Sequence, residues 1–125
     1  MLLHQEITDK ILKSFYKVYN TLGYGFLEKV YENSLIIELL ENNLAAIQQV
    51  PIPVYYKEQN VGNYFADLLI DNKIIVELKA SESIIEEHET QLLNYLKATN
   101  FEVGLLLNFG KKPEFKRKVF ANNYK

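Results

Sequence analysis

The chain is organised around residues 67–80, which read Asp67-Leu-Leu-Ile-Asp-Asn-Lys-Ile-Ile-Val-Glu77-Leu-Lys79-Ala80. Two apolar runs flank the turn-forming residues Asp71 and Asn72, and this pattern predicts a β-hairpin. Each run nevertheless carries charge, with Asp67 in the first and Glu77 and Lys79 in the second. Because burying an unpaired charge is costly, these side chains are expected to meet each other, a metal ion or a bound ligand.

The register of the hairpin decides whether the three charges can form one site. Glu77 and Lys79 are two residues apart on one strand and therefore share a face. A two-residue turn places Asp67 opposite Val76, on the wrong face, whereas a three-residue turn or one bulge pairs Asp67 with Glu77. A site that uses all three charges therefore requires the odd register.

Two amphipathic helices are predicted before the hairpin. Apolar residues at helical spacing indicate a first helix over residues 5–22, ended by Gly23, and a second over residues 27–42. The apolar stripe of the second helix is predicted to contain Tyr31, Leu35 and Leu39, widened by Val30, Ile37 and Leu40. Glu28 lies one turn before Tyr31, so the sequence predicts an acid on the apolar face near the helix N-terminus.

Strands and a third helix account for most of the remaining chain. Residues 48–56 alternate with a period of two and include Pro51 and Pro53, which cannot donate ladder hydrogen bonds, so this strand is predicted at a sheet edge. The elements predicted after it are a polar turn (57–62), strands 64–70 and 74–80, a helix (84–98) and a buried strand (103–109). The strand-helix-strand order predicts that the last two strands run parallel.

The expected fold is therefore a single α/β domain over residues 1–125, in the order helix, helix, three antiparallel strands, helix, strand. It predicts a mixed four-stranded sheet flanked by helices. Beyond Gly110 the pattern weakens, and residues 113–124 fit a short strand, a helix or a mobile tail equally, so the segment from about 111 stays unassigned.

Composition restricts the chemistry that a site could use. The chain has no Cys, which excludes disulfides, thiolate zinc sites and Cys nucleophiles. Any metal must therefore be held by carboxylate, carbonyl, imidazole or water, and hard cations such as Mg²⁺ fit that set of ligands. A net charge of −2 gives no bulk electrostatic argument for nucleic acid. Basic residues concentrate at the C-terminal end, at Lys111, Lys112, Lys116, Arg117, Lys118 and Lys125. No apolar run is long enough to cross a bilayer and no signal peptide is evident, so we expect a cytoplasmic protein.

Two adjacent carboxylates beside a lysine are suited to phosphodiester hydrolysis. A divalent cation would neutralise the repulsion between Asp67 and Glu77, while Lys79 could hold or deprotonate a water or stabilise charge on a phosphate. From spacing alone, an exposed hairpin with ordinary surface ion pairs is an equally good interpretation.

The motif Asp67…Glu77-Leu78-Lys79 resembles the PD-(D/E)XK motif of the restriction-endonuclease-like nuclease superfamily. Gly25-Phe-Leu-Glu28-Lys-Val-Tyr31 resembles the signature of the small GxxExxY proteins placed in that superfamily, and further blocks match up to Gly110. The proline that precedes the first acid in the superfamily is absent here, where Phe65-Ala66 precede Asp67.

The resemblance implies a role for each matched residue. Asp67 and Glu77 would be metal ligands, Leu78 would offer its backbone carbonyl to the metal, and Lys79 would orient or activate the attacking water. Glu28 would point into the same site from the second helix, and Gln91 would be added by the third. The implied cofactor is Mg²⁺ or Mn²⁺, and the implied substrate is DNA or RNA.

Two functions from different classes follow. The first is a metal-dependent phosphodiester hydrolase, in particular a nuclease; the second is a non-catalytic module that keeps the fold and binds nucleic acid or protein. Tyr55, Tyr56 and Tyr64 are candidates for base stacking. The proline-bearing edge strand and the unassigned C-terminal segment are candidate surfaces for a homodimer.

Overall fold

The computed structural model describes residues 2–125, which form three α-helices, five strands and one 3₁₀ turn. In chain order these are α1 (Gln5–Leu22), α2 (Glu28–Glu41), β1 (Ala46–Tyr56), β2 (Gln59–Ile70), β3 (Ile74–Lys79), α3 (Glu86–Lys97), β4 (Val103–Phe109), β5 (Pro113–Val119) and the 3₁₀ turn Asn122–Tyr124. The predicted element order and the α/β class are confirmed. Among the residues described, no helix is long and apolar enough to cross a bilayer.

The five strands form one mixed sheet in the order β1-β2-β3-β4-β5. The pairs β1–β2, β2–β3 and β4–β5 are antiparallel, whereas β3 and β4 are parallel, as the strand-helix-strand order predicted. The strand β1 lies at an edge, which is where its two prolines can be tolerated.

The prediction of a four-stranded sheet was wrong, because the C-terminal segment adds a fifth strand. All seven residues of β4 are buried, so its outer edge needs a backbone partner, and β5 supplies one from Pro113 to Val119. Lys118 of β5 also forms an ion pair with Glu89 of α3, with Nζ 2.6 Å from Oε1. Of the three structures that the sequence left open for this segment, the short strand is the one observed.

Two element boundaries also differ from the prediction. The turn between β1 and β2 consists of Lys57 and Glu58 alone, both with left-handed backbones (φ 49° and 65°), so β2 begins at Gln59 instead of after a six-residue turn. Helix α3 begins two residues later than predicted, where the Ile85 backbone N–H donates to His88 Nδ1 at 3.3 Å and so caps the helix start.

The sheet separates two apolar cores. Helices α1 and α2 cover one face with residues such as Phe15, Leu35 and Leu39, while α3 covers the other with Leu92, Tyr95 and Leu96. The first face is the more completely covered, because two helices lie against it. This difference leaves room beside α3.

The apolar stripe of α2 is narrower than predicted. Tyr31, Leu35 and Leu39 are fully buried, but the residues expected to widen the stripe are exposed by 38% (Val30), 62% (Ile37) and 71% (Leu40). Val30, Ile37 and Leu40 lie outside the narrow stripe that α2 buries against α1 and the sheet. An apolar side chain on this helix therefore does not by itself predict burial.

Candidate active site

The hairpin adopts the odd register. Leu68 pairs with Val76, Leu69 with Ile75 and Ile70 with Ile74, which places Asp67 opposite Glu77. The odd register that a site with all three charges requires is therefore present.

Three residues, Asp71, Asn72 and Lys73, connect the two strands and set the register. Asp71 and Asn72 are left-handed (φ 51° and 54°), and the Lys73 N–H donates to the Ile70 carbonyl at 2.9 Å. Lys73 is the extra residue that converts the even register of a two-residue turn into the odd one. Asp71 also anchors the turn to the start of β1, because its Oδ1 accepts from the Ala45 N–H at 2.9 Å.

The two carboxylates take the place of backbone groups where β2 and β3 separate. The Asp67 N–H donates to Glu77 Oε2 at 2.7 Å, and the Leu78 N–H donates to Asp67 Oδ2 at 2.8 Å. Each side chain therefore satisfies a backbone donor of the opposite strand, which holds both carboxyl groups in fixed positions. The alternative of an exposed hairpin with ordinary surface ion pairs is wrong, since Glu77 is only 4% exposed.

The electrostatics of the pair are unfavourable without a counter-charge. Burial, followed by the negative charge of Asp67, raises the pKa of Glu77 from 4.5 to about 8. Burial also raises the pKa of Asp67, although the hydrogen bond from the Leu78 N–H opposes the shift. The pair therefore tends to retain a proton near neutral pH, as two carboxyl groups that share one site commonly do.

Lys79 lies on the same face of β3 as Glu77 and is half-buried. Its positive charge lowers the pKa of both Asp67 and Glu77, so it is close enough to be felt by each carboxyl group. Among residues 2–125 it makes no ion pair within 4.0 Å. The ammonium group is thus near the carboxylates without being neutralised by direct contact.

The acid buried on α2 is Glu32 rather than Glu28. Glu28 is the first residue of the helix and is exposed, so the prediction that it lies on the buried face was wrong. Glu32, one turn later, is 5% exposed and accepts hydrogen bonds from Lys29 Nζ at 3.0 Å and Gln48 Nε2 at 2.6 Å. Its place next to Tyr31 and three residues before Leu35 could have indicated it from the sequence.

Both acids of α2 act on the carboxylate pair through their charge. Glu32 contributes to the raised pKa of Asp67, and Glu28 contributes to the raised pKa of Glu77. The charge of α2 therefore reaches the site from the sheet face opposite α3.

Gln49 marks the point where β1 changes the face that it presents. Gln48 contacts Glu32 of α2, whereas Val50 and Ile52 pack into the core beneath α3. Gln49 between them has a left-handed backbone (φ 53°), which is unfavourable for a residue with a side chain. Its amide lies 3.5 Å from Glu32 Oε1, and a hydrogen bond from the same side chain lowers the pKa of Asp67. No pattern in the sequence indicated a role for Gln49.

Gln91 reaches the carboxylates through Tyr95. Gln91 Nε2 donates to the Tyr95 hydroxyl at 3.0 Å. Burial raises the pKa of Tyr95 to about 12, with further contributions from the charges of Glu77 and Asp67. Tyr95 therefore lies next to both Gln91 and the carboxylate pair and connects them.

A groove continues from Tyr95 along α3. This α3–hairpin groove has a volume of about 900 Å³ and lies between Val54, Tyr55 and Tyr64 of the β1–β2 hairpin and the Gln91, Asn94 and Tyr95 side of α3. Gln91 and Tyr95 line the groove, and Tyr95 also lies near Asp67 and Glu77. The groove is therefore continuous with the surroundings of the carboxylate pair.

The donor set suits a hard cation but is small. Within residues 2–125 there is no group of three or more His, Asp or Glu side chains arranged to hold a metal. The two facing carboxyl groups are oxygen ligands of the kind that Mg²⁺ and Mn²⁺ prefer, and Mg²⁺ usually keeps several waters and needs only one or two carboxylates. Burial and mutual repulsion raise the pKa of Asp67 and Glu77, and a cation bound between them would relieve both effects.

Comparisons with known proteins agree with this architecture. The crystal structure of SSO0001 superposes with a TM-score of 0.56 at 20% sequence identity, covering 74% of this chain and 50% of that one, so the likeness concerns the fold and about half of the other protein. No curated protein matches the chain in sequence. Residues 5–118 match the family model of the PD-(D/E)XK nuclease superfamily. The span includes every element from α1 to β4, all of β5 except its last residue, and both carboxylates of the pair, and the chain therefore belongs to the PD-(D/E)XK nuclease superfamily.

Proposed function

We propose that the protein is a metal-dependent phosphodiester hydrolase that acts as a nuclease, with Asp67, Glu77 and Lys79 at its centre. The observation that carries the proposal is the pair of facing carboxyl groups, each held by a backbone N–H of the opposite strand. Membership of a nuclease superfamily supports the reaction class. We further assign the chain to the GxxExxY group on the sequence block from Gly25 to Tyr31.

The residues divide the work between holding a cation and handling water. Asp67, Glu77 and the backbone carbonyl of Leu78 would hold Mg²⁺ or Mn²⁺, which supplies Lewis-acid polarisation of the phosphate when bound. Lys79 would orient the attacking water and stabilise the negative charge that develops on the phosphoryl oxygens. Glu28 would join the site from α2 by binding the cation or a water around it; its exposure at the start of α2 and the effect of its charge on the pKa of Glu77 support this role.

Gln91 would act beside Tyr95 as a positioning group. The hydrogen bond between their side chains fixes the rim of the site next to the carboxylates. Removing it should alter the binding of the substrate more than the binding of the cation.

Metal binding is tested by thermal shift with Mg²⁺ and Mn²⁺. We expect each cation to raise the melting temperature of the wild type, and we expect Asp67→Asn and Glu77→Gln to abolish the response. Asp9→Asn is the matched control, because Asp9 is an exposed acid of α1 and should leave the response intact. A wild type that does not respond to either cation would contradict the metal site.

Cleavage needs its own assay with Mn²⁺ and labelled single-stranded, duplex and branched DNA and RNA. We expect wild-type cleavage of at least one substrate, lost in Asp67→Asn and in Lys79→Ala. Metal binding without cleavage of any of these would favour the second function, a binding module that keeps the nuclease fold. The absence of a preformed three-ligand group in residues 2–125 is the observation that favours this alternative. A cytoplasmic location and a homodimer stay predictions.

A further inference from the structure

The α3–hairpin groove is built from side chains suited to hold a flat, uncharged ring. Tyr55 and Tyr64 on the hairpin are 62% and 50% exposed, so their ring faces are available to a ligand. Tyr64 lies 5.9 Å from Tyr95 between ring centroids, at an interplanar angle of 48°, which fixes one aromatic wall next to the carboxylate pair. A volume of about 900 Å³ is ample for one nucleoside.

The polar groups of the groove match the edge of a base. Asn94 and Gln91 line the α3 side, and each amide offers both a donor and an acceptor. A base edge presents the same mixture of donors and acceptors, which amide side chains can read.

The charges that line the groove disfavour a phosphate backbone there. Its charged lining residues are Glu86, Glu87 and Lys97, two carboxylates and one ammonium group, so the local balance is acidic. A duplex presents its phosphates on the outside, and such a rim repels them. An uncharged base can enter only if it is unpaired, while its phosphate remains outside the acidic rim.

We propose that the α3–hairpin groove binds an unpaired base of a single-stranded nucleic acid whose backbone crosses the Asp67–Glu77 pair. The base stacks on Tyr64 and Tyr55, and Asn94 and Gln91 contact its edge. The inference rests on the proposed function for the identity of the polymer and adds a preference for single-stranded or locally unpaired substrates.

Binding is measured separately from cleavage, by fluorescence anisotropy in EDTA at one fixed salt concentration. The probes are a fluorescein-labelled single-stranded DNA, an RNA of the same sequence and the blunt DNA duplex. We expect the single strands to bind more tightly than the duplex, and the two single-stranded probes decide between DNA and RNA. Tyr55→Ala and Tyr64→Ala should each weaken single-strand binding roughly 5- to 150-fold, the loss expected for one stacked base.

Tyr56→Ala is the matched control. Tyr56 lies next to Tyr55 on the same hairpin and is 64% exposed, but it does not line the groove, so its removal should leave the affinity unchanged. Tyr64→Leu keeps an apolar side chain against Tyr95 without a flat ring face and should reproduce the loss even if Tyr64→Ala folds poorly.

An abasic scan of the oligonucleotide tests the groove with wild-type protein. We expect one position at which removal of the base weakens binding as much as Tyr64→Ala does, and no further loss when both changes are combined. Equal affinity for duplex and single strand, no single-strand binding, or equal effects of Tyr64→Ala and Tyr56→Ala would overturn the inference. If the nuclease proposal alone fails, the base-dependent binding persists without cleavage; if the groove proposal alone fails, cleavage persists in the Tyr55 and Tyr64 variants with an unchanged KM.

Discussion

The β2–β3 hairpin has two halves that solve opposite problems. In the paired half, Leu68–Ile70 and Ile74–Val76 are joined by backbone pairing and are all 5% exposed or less. In the open half, Asp67 and Glu77 replace the ladder with bonds from side chain to backbone, and Lys79 follows on the same face. One short hairpin thus carries stabilising apolar residues and candidate site residues next to each other. Pairing and burial in the first half hold the two strands in the register that brings Asp67 and Glu77 together.

Removing apolar volume from the paired half should lower the stability of the fold, whereas removing a negative charge from the open half should raise it. In the paired half, stability comes from buried apolar volume. In the open half, the charges oppose folding unless a cation is present, since buried like charges repel each other and lose their hydration.

The largest effect is expected from a cavity in the paired half. Ile75 is 1% exposed and lies in the core beneath α3, so Ile75→Ala should lower the free energy of unfolding by about 2–5 kcal/mol. Urea denaturation measures this change. Ile37→Ala serves as the control, because Ile37 is 62% exposed on α2 and should cost much less. Similar losses in both variants would show that the paired half is not the stabilising element.

The next largest effect concerns the negative charge of Glu77 in the open half, whose removal should stabilise the protein at alkaline pH. The pKa of Glu77 is 4.5 unfolded and about 8 in the fold, so the folded protein binds more protons between these values. The free energy of unfolding contributed by this group is therefore fully present below pH 4.5 and falls as pH rises through 8. Since one pKa unit corresponds to about 1.4 kcal/mol, the loss amounts to a few kcal/mol.

Glu77→Gln should remove this pH dependence. The amide keeps an oxygen that can accept from the Asp67 N–H, but it cannot ionise. In metal-free buffer, melting temperatures from pH 5 to pH 9 should fall less in Glu77→Gln than in the wild type, and the variant should be the more stable protein at the alkaline end. Parallel pH profiles of the two proteins would show that ionisation of Glu77 beside Asp67 does not destabilise the fold.

A smaller effect is expected where the paired half contacts α3. Gly104 of β4 is paired with Ile75, and a Cβ built there would lie 2.7 Å from Leu92 Cδ1 of α3. Gly104→Ala should therefore destabilise the protein by about 1–3 kcal/mol through overpacking, and it should displace the helix that carries Gln91 and Tyr95. Gly62→Ala is the control, since its Cβ would meet only Tyr64 at an ordinary 3.6 Å. Calorimetry measures the melting temperatures of both variants. Equal melting temperatures for Gly104→Ala and Gly62→Ala would contradict the prediction.

The sequence was informative where side-chain pattern determines structure. Helix α1 was predicted with its observed limits because apolar residues recur at helical spacing up to Gly23, and the odd register followed from requiring Asp67 and Glu77 to meet. It was less informative where backbone pairing or packing direction decides. Strand β5 forms because buried β4 needs a partner, and Glu32 replaces Glu28 as the buried acid because of how α2 is rotated against the sheet. These depend on neighbours that are distant in sequence.

The smallest effect concerns the backbone of Gln49, next to the open half. Its left-handed conformation (φ 53°) costs about 1 kcal/mol or slightly more for any residue that has a Cβ, but little for glycine. Gln49→Gly and Gln49→Ala remove the same hydrogen bonds to Glu32 and Asp67, so the difference between them isolates the backbone, and Gly should be the more stable by about 1 kcal/mol. At Gln48, which is paired with Leu68 and has no positive φ, the same two substitutions should rank in the reverse order. Urea denaturation of the four variants measures both differences. An equal ranking at the two positions would mean that the strand changes face at Gln49 without backbone strain, and that Asp67 owes its position to the paired half alone.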